Sequence, residues 1–155
     1  IVAPPPIRGQ LTVLKETSDL ETSALIQRAV AEFLQRGLLE PHLARLRRAY
    51  RERRDAMLAA LAAAFPSGAH WTRPAGGIFL WLTLPAEVDT QALLLQAVEQ
   101  EQVAFIPGRA FSISGSAGRS AMRLNFSNAA PELIAEGVRR LARLLAARLP
   151  AGSRG

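Results

Sequence analysis

The chain has 155 residues, 49% apolar and 21% charged, enough for one domain with a real core. It has no cysteine, which excludes disulfides, thiolate catalysis and cysteine-ligated zinc, and His42 and His70 alone make a poor metal site. Its net charge of +6 is nearly all arginine, Lys15 being the only lysine, and no nucleotide or nucleic-acid motif accompanies it, so no nucleic-acid partner is expected.

The opening IVAPPPIRGQ has neither the cationic start nor the cleavage site of a secretory signal. The longest apolar run, Ile78 to Leu84, is far shorter than the roughly 20 residues a membrane span needs. A cytoplasmic protein without a membrane segment is the expectation. Ile1-Val2-Ala3 reads as the end of a strand broken at Pro4-Pro5-Pro6, as at a cut edge. Ser18-Asp19-Leu20-Glu21 matches a capping box and predicts a helix start. Leu25, Ile26, Ala29, Val30, Phe33 and Leu34 then recur on one helical face, and Gly37 supplies the stop.

Pro41 opens a second helix to about Ala64, with Leu43, Leu46, Tyr50, Met57 and Leu61 as its apolar stripe. Arginines 45, 47, 48, 51, 53 and 54 surround that stripe. Glu52 and Asp55 lie at helical spacing from Arg48 and Arg51, which predicts a solvated, ion-paired face. Pro66-Ser67-Gly68 ends the helix, and Arg73 to Gly77 reads as a loop. Ile78 to Leu84 is apolar on both faces, as in a covered strand. Asp89 caps a third helix through about Gln102, burying Leu93, Leu94, Ala97 and Val98. Val103 to Ile106 is a short strand stopped by Pro107-Gly108, and Ser112 to Ser120 a flexible loop. Met122 to Phe126 forms the last strand. Pro131 starts a final amphipathic helix carrying Leu133, Ile134, Val138, Leu141, Leu144, Leu145 and Leu149. This order favours an α+β layer, a small sheet covered by helices, over a doubly wound nucleotide fold.

Arg123 is the residue that asks for an explanation. It lies between Met122 and Leu124 in an otherwise apolar strand, where a guanidinium is costly unless a carboxylate or phosphate pairs with it. An internal salt bridge and an external anion both satisfy that requirement. Gly76-Gly77 before a strand allows close backbone approach to a ligand, but is equally ordinary turn chemistry.

The segments ETSALIQ, HLARLRRAYRERRDAMLAAL, WTRPAGGIFLWLTLP, VAFIPGRAF, MRLNFS and EGVRRLARLL occur in this order between Glu21 and Leu145. Together they resemble the C-terminal third to half of class I/II, fold-type I, pyridoxal-phosphate aminotransferases, in the 2-aminoadipate or kynurenine flavour. That group also includes the effector domains of aminotransferase-like GntR transcription regulators. The resemblance implies that residues 1–40 are the end of the large domain and its connecting helix. Residues 41–149 would be the C-terminal small domain, and 150–155 a disordered tail. It implies that Arg123 binds the α-carboxylate of amino-acid and 2-oxo-acid substrates and that Gly76 and Gly77 border the substrate cleft. It implies a homodimer using pyridoxal 5'-phosphate. The family's Schiff-base lysine belongs to a motif that this chain lacks, since Lys15 sits in LKETSD without that context. The expectation is therefore a transaminating parent protein and a chain that is inactive alone.

Overall fold

The computed structural model describes residues 3–19 and 21–148, so the expectations for Ile1, Val2, Leu149 and the 150–155 tail fall outside it. The chain divides into two compact units, residues 1–45 and 46–155.

The first unit departs from the expected start. The prolines open a helix, α1 (Pro5–Asp19), rather than break a strand, because a first turn has no intrahelical use for the N–H that proline lacks. Ser18 accordingly lies inside α1, its hydroxyl donating to the Leu14 carbonyl at 2.7 Å instead of capping a new helix. The next helix, α2 (Ala24–Gln35), begins after Ser23, which makes no side-chain cap bond. It stops before Gly37, at φ +67°, as expected. Its apolar face is present but not buried: Leu25, Ile26, Val30 and Leu34 are all exposed, and neither α1 nor α2 buries a residue.

The long helix α3 (Leu39–Ala64), with Pro41 in its first turn, carries the chain into the second unit. There β1 (His70–Trp71), β2 (Phe79–Thr83), β3 (Ile106–Pro107) and β4 (Ala121–Asn125) form an antiparallel sheet in the order β1-β2-β4-β3. Helices α4 (Thr90–Glu101) and α5 (Pro131–Ala146) complete the unit. Leu80, Leu82, Met122 and Leu124 alternate onto the face that packs with Met57 and Leu61 of α3, Leu93 and Ala97 of α4, and Ile134, Val138 and Leu141 of α5. This face is the core.

Four expectations are corrected here. β2 is not covered on both faces, because these helices share one side of the sheet and leave Phe79 and Thr83 exposed. On α4 Val98 is exposed and Leu94 only half-buried. The strand near Val103 shifts to Ile106–Pro107, with Val103 to Phe105 connecting it to α4. On α3 Asp55 pairs with Arg54, and among the described residues no ion pair joins Arg48 to Glu52 or Arg51 to Asp55. Asp89 caps α4 as expected, accepting from the Gln91 and Ala92 backbone N–H groups.

No helix among the described residues is long and apolar enough to cross a membrane.

Candidate functional site

Antiparallel pairing places Trp81, Arg123 and Ile106 in one row across β2, β4 and β3, all on the face away from the core. Arg123 thus stands near the middle of an open sheet face. Among the described residues no acid pairs with its charge. Its guanidinium carbon lies 3.9 Å from the centre of the Phe79 ring and 4.6 Å from that of Phe111. Among the described residues Arg123 makes no ion pair, and its buried Nε has no hydrogen-bond partner. Two aromatic rings against the guanidinium and an unused Nε donor suit a planar anion, which a guanidinium fork can hold with two parallel hydrogen bonds.

Phe79 arrives with β2, opposite Asn125. Phe111 ends a single 3-10 turn, Gly108–Phe111, that follows β3, and its ring meets Trp81 edge-on with centroids 5.5 Å apart. Phe111 therefore reaches from the β3 side across β4 to β2. Its turn is fixed at the base. A methyl group on Gly108 would lie 2.5 Å from the Gly118 carbonyl oxygen, so only glycine permits this crossing of backbones.

Beneath the crossing, the buried Thr90 hydroxyl lies 2.9 and 2.8 Å from the Arg119 and Ala121 carbonyls, which share its one proton. Asp89 takes an N–H from Arg119 at 3.2 Å and faces Arg109 at 3.8 Å. Desolvation pushes the Asp89 carboxyl up. The Gln91 and Ala92 N–H groups, the Arg119 hydrogen bond and the Arg109 charge outweigh it and hold the group below its ordinary value.

Two arginines of α3 hold the loops at one end of this face. Arg53 donates to the Ser127 carbonyl, after β4, and Arg54 donates to the Pro74 carbonyl at 3.1 Å, before β2. They belong to the run read from sequence as a solvated face. Their role was invisible there because both acceptors are backbone atoms of distant segments. Gly77 takes φ +82°, which gives it a turn reason for being glycine, whereas Gly76 has open space around it and no such constraint. His42 meets Phe33 edge-on at 6.2 Å, and His70 is exposed on β1; neither shares the Arg123 site.

A cavity of about 250 Å³ lies on the core side of the sheet, among Met57, Leu124, Ile134 and Leu141, and is lined by no ionisable side chain. It lacks the groups for chemistry.

The arrangement can grip a carboxylate, but no lysine amine accompanies it. The unit that contains Arg123 has no lysine, and Lys15, in α1, pairs with Asp19. The residues present therefore do not fit a Schiff-base cofactor.

A 2-aminoadipate transaminase of Thermus thermophilus is 43% identical over 144 residues, which are 93% of this chain and 36% of that protein. The crystal structure of a Pyrococcus horikoshii kynurenine aminotransferase matches 95% of this chain and 36% of its own, with a TM-score of 0.85 and 37% identity. The transcriptional regulator NorG of Staphylococcus aureus is 35% identical over 127 residues, 82% of this chain and 28% of NorG. The chain spans about a third of the length of the curated aminotransferases it matches. The family model "Aminotransferase class I and II" matches residues 1–141, and with these relatives it shows that the chain belongs to the class I and II aminotransferases.

Proposed function

We propose that the full-length protein is a pyridoxal-phosphate-dependent aminotransferase that moves an amino group between an amino acid and a 2-oxo acid. In it, this chain supplies the grip on the substrate α-carboxylate. The observation that carries the reading is Arg123, a guanidinium on an open sheet face with two aromatic rings against it and, among the described residues, no carboxylate partner. The resemblance to aminotransferases over nearly the whole chain supports the reaction class. Pyridoxal phosphate supplies the electron sink for breaking bonds at the α-carbon. In this proposal it is held by residues outside this chain.

The part left to the chain is binding and orientation. Two charge-assisted hydrogen bonds from one planar group fix both the position and the tilt of a carboxylate, and hence the direction of the bonds at the adjoining carbon. Gly76 and Gly77 border the same cleft in this reading, and the chain alone does not transaminate. The homodimer, the cytoplasmic setting and the assignment of residues 1–40 to the end of a large domain belong to the same proposal.

Arg123→Ala in the full-length gene product tests it. The expected outcome is a fall of about a hundredfold in kcat/KM for amino acid and 2-oxo acid alike, equivalent to roughly 3 kcal/mol. Unchanged steady-state constants would remove the carboxylate role. The likeness to NorG supports a second reading, a ligand-sensing domain of a transcription regulator. Lack of turnover, together with DNA binding that responds to a 2-oxo acid, would favour it.

A further inference from the structure

We infer that Phe111, with Phe79, is a positioning residue for the carboxylate grip: the two rings set the plane of the Arg123 guanidinium before a ligand arrives. The inference rests on the proposed role of Arg123 and goes beyond it, because it concerns how that side chain is held. An arginine side chain has several rotatable bonds, and among the described residues no hydrogen bond fixes this one. What remains is ring contact, at 3.9 Å from Phe79 and 4.6 Å from Phe111. Rings attract the face of a guanidinium and leave its in-plane N–H groups unused, which is the geometry a carboxylate requires.

Phe111 is placed for this by more than its own packing. The Gly108–Gly118 crossing and the Thr90 hydrogen bonds hold the base of its turn, and Trp81 meets its ring edge-on. Yet the ring stays half exposed, at 47%. A large apolar side chain held by a rigid base and left open to solvent contributes little core packing. Its contact with Arg123 accounts for that placement.

The test uses the 155-residue chain with arginine side chains labelled with nitrogen-15, and pyruvate as the probe carboxylate. In the unaltered chain the Arg123 Nε–H proton resonates upfield of those of the other arginines through the ring currents, and it shifts on adding pyruvate. Phe111→Leu, which keeps an apolar side chain but removes the ring, moves that proton back toward the others and raises the apparent Kd for pyruvate threefold to tenfold. Phe111→Trp restores both. Phe79→Leu behaves as Phe111→Leu does and serves if the latter variant does not fold. The inference is overturned if the leucine variants, folded by their backbone spectra, keep the unaltered proton shift and pyruvate affinity. Arg123→Ala separates the two claims. If pyruvate binds that variant as before, the carboxylate reading fails first; if binding is lost there but the leucine variants match the unaltered chain, only the positioning role fails.

Discussion

On the helix side of the sheet, Leu80, Leu82, Met122 and Leu124 lie buried among three helices, while the other side sets Phe79, Trp81, Arg123 and Ile106 on an open face. The same two central strands, β2 and β4, make both faces, since residues alternate along each strand. Stability resides on the first face. The second carries a charge that no described residue pairs with, the unfilled demand on which the proposed carboxylate grip rests. The difference explains why an arginine persists between Met122 and Leu124: its neighbours in sequence point the other way.

Five substitutions can break or sharpen this contrast. The largest effect belongs to the core face, where Leu82→Ala removes a fully buried side chain and should cost about 3 kcal/mol in chemical denaturation. Next is Arg123→Leu, which should leave stability within about 1 kcal/mol of the original, because it removes an unsatisfied buried donor along with its ring contacts. A loss as large as that of Leu82→Ala would erase the distinction between the faces. Gly77→Ala comes third, costing about 1 kcal/mol for an L-residue forced to positive φ, while Gly76→Ala should be neutral or slightly stabilising.

The smallest effect is a dependence on pH. The carboxyl of Asp89 is held below its ordinary value in the fold, so its contribution is fully present above that value and is lost as pH falls through the folded one. Asp89→Asn should therefore lower the Tm by a few degrees at neutral pH. The difference should vanish once the pH lies below the folded value. Equal differences at both pH values would show that charge plays no part in holding this corner. Glu136 is lowered by the Arg140 and Arg139 hydrogen bonds and behaves with the same sign.

Features of local origin were legible in the sequence. The Asp89 cap, the Gly37 stop and the Pro131 start each depend on a few adjacent residues, and the structure has all three. The capping box at Ser18 failed because a helix was already under way from Pro5, and a serine inside a helix turns its hydroxyl back to the preceding turn. Arg123 was legible as a problem from its two neighbours alone. The rings around it were not, since Phe111 meets it only after a glycine-tight reversal of the chain that no local pattern announces. The uncovered face of β2 was missed for a related reason: Phe79 and Trp81 look like core residues to any count of apolar character. Only the placement of α3, α4 and α5 on one side decides otherwise.

The crossing of Gly108 and Gly118 works as a clasp. It closes the neck of the Ser/Gly segment, while Ile113 to Ser116 hang outside it, exposed. A loop shut at its neck insulates the rest of the domain from its own length, since doubling a closed loop costs only about 0.6 kcal/mol. Residues between Ser114 and Ser116 are thus a natural handle. An epitope or a fluorophore-bearing peptide can be grafted there, a few residues along the chain from Phe111, to watch the guanidinium site without touching it.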